Sequence, residues 1–337
     1  MAELRFGPGT RCVLFGGGRL LLRTAQGLAA RGIGAVAVCG PAHAREEFDG
    51  APLAAALAAL GVRVVETEQL DVARLAPLVD AHTLGLSVAA PWIFRADVIA
   101  LFGGRLLNLH GADLPNARGG GGFTWQILRG DRRGGLTWHV LTEAVDEGDV
   151  VLQHTFTYPD SCRTPADFAL HREPHEMDFL TAFLDAVASG RPLAVTPQDG
   201  ARASYWPRLS TAVHGWIDWR WEASEIVRFV DAFGPPYAGA GTQLRGAELR
   251  IVHAELDGRV GAFHPFQAGL VFRVHDGVAW LAARGGAVLV HAVRDAAGSD
   301  AFARLRPGVR LHTPAAVLDR ARSARAVMTS GGLEIRD

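Results

Sequence analysis

The sequence predicts an α/β protein in which a mostly parallel sheet, covered by helices on both faces, is followed by a small all-β domain. Three observations carry this. The first half alternates short, uninterrupted apolar runs with helical stretches, the pattern of strands buried on both faces. Beyond about residue 205, short strands recur between glycine-containing turns. The chain has 337 residues, too many for one ordinary domain and enough for two.

The elements follow in order. Arg11–Phe15 (RCVLF) is the first buried strand, and Gly16, Gly17 and Gly18 lead out of it. Arg19–Arg31 reads as a helix with Leu20, Leu21, Ala25, Leu28 and Ala29 on one face and Gly32 as its stop. Gly34–Cys39 is a second strand, Ala51–Leu60 a second helix and Gly61–Glu66 a third strand. Leu84–Ala90, ended by Pro91, and Leu106–His110 are further strands. Trp138–Leu141 is another, before an acidic loop over Glu143–Asp149. Ligands of such sheets gather beyond the carboxyl ends of the strands. Glu222–Phe233 reads as an amphipathic linker helix through Ile226, Val227, Phe229 and Val230. Glu248–Ala254, Gly269–Val274, Val278–Ala283 and Ala287–Ala292 then read as strands of a small barrel or sandwich. A boundary near Pro192–Pro207 divides the chain into 1–200 and 201–337.

Composition narrows the function. Hydrophobic residues at 49% against 20% charged exclude a disordered chain, which cannot bury enough apolar surface. All 34 basic residues are arginine, and they face 35 acidic ones for a net charge of −1, so the basic excess of a nucleic-acid-gripping protein is missing. No apolar run reaches the roughly 18–20 residues of a membrane span, and the start carries no export signal, so the expectation is a cytoplasmic protein. Cys12, Cys39 and Cys162 have neither metal spacing nor the even number of a disulfide framework; no metal site is expected.

Three polar residues stand out: Asn108, His110 and Asp146. Asn108 and His110 lie two apart at a strand end, so both point to one face. Four glycines, Gly119 to Gly122, permit close approach to a ligand but leave the segment floppy unless something orders it. Taken singly, each has a plain reading: a solvated strand end, an ordinary loop, a turn. His139 and His154 show no partner pattern and read as structural. The Gly16–Gly18 turn suggests a dinucleotide, but position 21 is Leu and the G-x-G-x-x-G signature is incomplete.

The combination is more specific. Asn108, His110, Leu114-Pro115, Arg118-Gly119, Gly130-Asp131, Gly135, Thr137 and Asp146-x-Gly148-Asp149 occur in one order over about 45 residues. This string resembles the core of the folate-dependent formyltransferases, a family that includes glycinamide ribonucleotide transformylase, methionyl-tRNA formyltransferase and the amino-sugar N-formyltransferases. It departs from the pattern at Ala112-Asp113, where Ser-Leu is usual, and in the glycines after Arg118. The resemblance continues through Tyr205-Trp206-Pro207-Arg208, Ile217-Asp218-Trp219 and Pro236-Tyr237-Ala238-Gly239-Ala240. It implies a Rossmann-like catalytic domain and a C-terminal OB-like β-barrel.

The resemblance also implies a reaction: a formyl group moves from N10-formyltetrahydrofolate, a co-substrate, to a primary amine. His110 is the implied general base, Asn108 the oxyanion donor, and Asp146 the carboxylate that pairs with His110 and raises its pKa. By the same resemblance the folate is expected against Ala89, Ala90, Pro91 and Trp92 and against Leu141, Thr142, Glu143 and Val145. Arg118, Gly119, Gly120 and Trp125 are expected to border the amine substrate, with Arg118 or Arg129 as the candidate partner of a pyrophosphate. From residue 201 on, 17 arginines face 13 acidic residues, a nearly balanced domain that favours a small acceptor over a tRNA. A nucleotide-linked 4-amino deoxysugar fits best; the alternatives are methionyl-tRNA and a hydroxylated amino acid of the hydroxyornithine type. Less favoured are a single-strand nucleic-acid binder working through the OB-like domain and a nicotinamide enzyme using Gly16–Gly18. A homodimer is compatible with all of these, and no membrane partner is expected.

Overall fold

The computed structural model describes residues 2–120, 122–329 and 332–336. Gly121, one of the four consecutive glycines, lies outside the described residues.

The central sheet has seven strands: β1 (Arg11–Gly16), β2 (Ala35–Cys39), β3 (Arg63–Glu66), β4 (Thr83–Val88), β5 (Leu106–His110), β6 (Arg133–Val140) and β7 (Val150–Thr157). Their spatial order is β7-β6-β5-β4-β1-β2-β3. The first five pair in parallel, as the apolar runs predict, while β6 runs antiparallel to both β5 and β7. Strand order reverses between β1 and β4, the kind of switch point where α/β sheets open a crevice.

Alternation along the strands fills both faces. Cys12 and Leu14 of β1 join one core with Leu21 and Leu28 of helix α1 (Gly18–Ala30) and Leu53 and Leu57 of α2 (Leu53–Ala59). Val13 and Phe15 turn the other way, onto Val98, Phe94 and Phe102. The helix expected over Ala51–Leu60 begins two residues late, because Ala51–Pro52 pairs as a short strand with Glu47–Phe48.

Helix α3 (Gly122–Leu128) follows the glycine stretch. The sequence pattern gave no sign of the 25-residue helix α4 (Pro165–Ser189), which covers the sheet with Phe179, Phe183 and Val187. Pro174 in its middle reads as a breaker, yet a capping box of Thr164 and Asp167 starts the helix and burial holds it. Phe183 stacks on the buried Trp138 of β6 with centroids 4.4 Å apart.

The linker helix α5 (Ala223–Ala232) buries Ile226, Phe229 and Val230 against the second all-β unit. That unit is an antiparallel sheet of β8 (Ala240–Leu244), β9 (Ala247–Asp257), β10 (Val271–His275), β11 (Val278–Ala283), β12 (Gly286–Asp295) and β13 (Leu311–His312), in the order β10-β11-β12-β9-β8-β13. The sheet curls until its ends meet: Val271 N donates to Val309 O and Leu311 N to Gly269 O, each at 2.9 Å. Helix α6 (Ala315–Ser323) and a hairpin of β14 (Arg325–Thr329) and β15 (Gly332–Arg336) complete the described chain.

Candidate active site

The register of three strands builds the site. Ser87 of β4 is paired with Asn108 of β5, and Asn108 with His139 of β6, so three polar side chains form one row across the sheet. Ser87 Oγ donates to Asn108 Oδ1 at 2.9 Å, and Asn108 Nδ2 lies 3.1 Å from His139 Nε2. His139 Nδ1 donates to the Val140 carbonyl at 3.0 Å, which leaves Nε2 as the acceptor of one Asn108 hydrogen. The other Nδ2 hydrogen of Asn108 stays available, and Asn108 lines a cavity of about 1340 Å³. His139 lines this cavity too, so the histidine that reads as structural in the sequence belongs to the site.

His110 sits two residues beyond Asn108 on the same face. Its Nε2 donates to the Ala117 carbonyl at 2.8 Å, so the lone pair is on Nδ1. Nδ1 lies 3.6 Å from Asp146 Oδ2, and Asp146 Oδ1 lies 3.5 Å from His139 Nε2. Asp146 thus stands between two imidazoles. Burial opposes its charge, while the Gly119 amide, donating to Oδ2, favours it, and the Asp146 pKa lies below the ordinary carboxylate value. For His110 the outcome differs from the expectation. Burial pushes its pKa below the ordinary 6.5, and the opposing pull of Asp146 does not cancel this. Arg172 and His139 add to the lowering. The neutral imidazole, able to accept a proton, is therefore the resting form near pH 7.

The acidic loop is shaped by its own clamps. Asp146 has a left-handed φ of 56°. Such a backbone costs a non-glycine residue roughly 1–3 kcal/mol and persists only where its surroundings enforce it. Here Gly119 N donates to Asp146 Oδ2 at 2.8 Å, and Gln198 Nε2 donates to the carbonyls of Asp146 (2.8 Å) and Gly148 (2.7 Å). The start of the glycine stretch is held as well, because Arg118-Gly119 pairs in parallel with Tyr205-Trp206. Gly119, with φ 95°, lies so close to the Trp206 carbonyl that a Cβ would come within 2.3 Å of its oxygen.

Among the residues singled out for folate, Ala89, Ala90, Trp92, Leu141, Thr142, Glu143 and Val145 line the cavity, while Pro91 does not. Ile93 and Val145 are apolar yet 68% and 40% exposed there, a rim suited to a flat ring. Gly119, Gly120 and Trp125 line the cavity; Arg118 does not. Its guanidinium donates to Gln198 Oε1 at 3.0 and 3.2 Å and pairs with Glu147 at 2.9 Å, so it braces the acidic loop and carries no spare charge for a pyrophosphate. Arg129 is likewise bound to Asp131 and rests on the Trp206 ring. Asp113, one of the departures from the motif, is buried and paired with Arg133 at 2.7 Å, a structural contact away from the cavity.

The Gly16–Gly18 turn does not form a phosphate cradle. The His43 ring packs on Gly17, where a Cβ would lie 2.4 Å from it, and Glu46 Oε2 accepts the Gly18 N–H at 3.0 Å. A carboxylate occupies the amide that a phosphate would need. Among the described residues no cluster of His, Cys, Asp and Glu is arranged to hold a metal, and no helix is long and apolar enough to cross a membrane. The three cysteines are free and buried.

Comparison with known proteins agrees with this geometry. Residues 43–159 match the family model described as formyl transferase, and 210–304 match the formyl transferase C-terminal domain. The methionyl-tRNA formyltransferase of Roseiflexus castenholzii is 34% identical over 239 residues, which cover 67% of this chain and 74% of that protein. The chain belongs to the formyltransferase family. The formyltransferase fold extends to solved structures of low identity. WlaRD, a sugar 3N-formyl transferase solved in the presence of dTDP and 5-N-formyl-THF, superposes with a TM-score of 0.65 at 16% identity, covering 84% of this chain and 97% of that one. The N-formyltransferase from Helicobacter canadensis, in complex with folinic acid and dTDP-3-aminofucose, gives 0.66 at 13% identity, covering 83% and 98%. The seven-stranded sheet of this formyltransferase places Asn108, His110 and Asp146 in one cavity.

Proposed function

We propose that this formyltransferase uses N10-formyltetrahydrofolate to formylate the primary amine of a small, nucleotide-linked amino sugar, a 4-amino deoxysugar, with Asn108, His110 and Asp146 as its catalytic residues. The observation that carries this is His110 Nδ1 lying 3.6 Å from Asp146 Oδ2 in a cavity that Asn108 also lines. The donor supplies the one-carbon unit, and the slot between residues 89–92 and 141–145, with Ala89, Ala90 and Ala144 in its lining and Ile93 and Val145 on its apolar rim, suits it.

The residues then divide the work. His110 Nδ1 takes the amine proton as the new C–N bond forms, and returns it to the folate nitrogen as the old C–N bond breaks. Asp146 stabilises the imidazolium formed in between. The spare Asn108 hydrogen meets the negative charge that develops on the formyl oxygen, and His139 keeps that amide in place.

Two features favour a small acceptor. Residues of α5 together with Leu318 and Ala321–Met328 also line the cavity, and the charge from residue 201 on is nearly balanced. The 34% identity to a methionyl-tRNA formyltransferase favours a second reading, formylation of charged initiator tRNA. Incubation with formyl donor and either dTDP- and UDP-linked amino sugars or charged initiator tRNA separates them. Formyl incorporation into a sugar amine supports the proposal, and incorporation into the tRNA alone rejects it.

A further inference from the structure

The cavity has a wall that the family match leaves out. The formyl transferase C-terminal match stops at residue 304, yet Arg325, Val327 and Met328 line the same cavity as His110 and Asp146. These residues belong to the hairpin β14–β15, which joins neither larger sheet.

The segment is fastened to the linker region. Ser210 N–H donates to His214 Nδ1 at 2.8 Å, so the ring hydrogen is on Nε2, which donates to the Ala324 carbonyl at 3.0 Å. Asp218, its side chain 5% exposed, accepts from Arg322 at 3.1 Å. Leu318, Ala324 and Ala326 are buried.

Charge around this wall is uneven. Arg322 pairs with Asp218, which Arg220 also holds at 2.6 Å, and with Asp319 at 3.7 Å. Arg325 and Arg208 both line the cavity, and among the described residues neither has a hydrogen-bond or ion-pair partner. Arg208 is half-buried against Gly120, where a Cβ would lie 3.1 Å from its Nε. A half-buried guanidinium without a counter-charge is costly unless a ligand provides one. Tyr205 also lines the cavity, is 61% exposed, and stacks on no other ring among the described residues.

We infer that residues 315–329 form the acceptor-side wall of the active site, and that Arg325 and Arg208 hold the diphosphate of a nucleoside diphosphate, with Tyr205 offering its face to the base. This deepens the proposed acceptor and rests on it. Two planar guanidinium forks on separate segments suit a group with several phosphate oxygens, and an exposed aromatic ring suits a base.

The test is equilibrium titration of the full chain with inorganic pyrophosphate, UDP and dTDP, followed by tryptophan fluorescence. Arg325→Ala, Arg208→Ala and the conservative Arg325→Lys are compared with the unaltered protein, and 5-formyltetrahydrofolate is titrated in parallel. Each alanine variant is expected to weaken diphosphate binding at least tenfold, with partial recovery in Arg325→Lys and unchanged folate binding. Equal diphosphate affinity in all variants overturns the subsite, as does its absence in the unaltered protein. Weakened folate binding instead would assign the arginines to the donor and overturn it too. If diphosphate binding depends on Arg325 but no nucleotide-linked amino sugar is formylated, the subsite stands and the proposed acceptor falls. If such a sugar is formylated with the same KM in Arg325→Ala, the acceptor stands and the subsite falls.

Discussion

His110 Nδ1 and Asp146 Oδ2 lie 3.6 Å apart although 36 residues separate them in the chain. The two groups act on each other in opposite senses to burial. Asp146 favours the imidazolium, while the low-dielectric surroundings disfavour it, and burial prevails. The base therefore rests neutral and is stabilised only once it has taken a proton.

This balance sets the acid limb of activity. His110 must be neutral to accept the amine proton, and its pKa is below 6.5. The kcat/KM profile is expected to fall only as pH drops through a midpoint under 6.5. In Asp146→Asn the carboxylate that raises the His110 pKa is gone, so any residual limb shifts to still lower pH. A limb that moves upward would contradict the assigned pairing.

Removal of the base itself has a larger effect. His110→Ala is expected to lower kcat by roughly 100- to 10,000-fold, and Asn108→Ala by roughly 100- to 1,000-fold. Circular dichroism should be unchanged, because both side chains face the cavity. Near-normal turnover in either variant, with a competent acceptor, would remove that residue from its role.

His139 works through Asn108 and Asp146, since its Nε2 is 3.1 Å from one and 3.5 Å from the other. His139→Ala is expected to reduce kcat with little change in the KM for folate. The pH profile should shift with it, because a neighbour of Asp146 is lost. A variant with lower stability but an unaltered kcat and pH profile would make His139 a packing residue only.

Gln198 ties Arg118 to the carbonyls of Asp146 and Gly148. Gln198→Ala should loosen the acidic loop and lower kcat while leaving thermal stability nearly intact. Hydrogen exchange across residues 143–149 reads this directly, and unchanged protection there would refute the clamp.

The core offers a control remote from chemistry. Phe183 is buried and stacked on Trp138. Phe183→Ala should cost about 3–5 kcal/mol of stability, measured by denaturant unfolding, while surviving folded protein keeps its KM values.

Much of this was legible in the chain itself. The strand β5 and the shared face of Asn108 and His110 follow from local alternation, which needs no partner strand. The motif from Asn108 to Asp149 pointed to formyl transfer, and the linker helix over 223–232 was visible from its apolar period. What only the tertiary structure decided depends on groups far apart in sequence. His139 entered the site through the register that sets it beside Asn108. Arg118 was spent on Glu147 and Gln198, contacts 29 and 80 residues away in the chain. Helix α4 formed across Pro174 because packing on the sheet outweighed a local penalty. Alternation and propensity act between neighbours, whereas strand register, burial and the pairing of charges are set only once the whole chain has closed on itself.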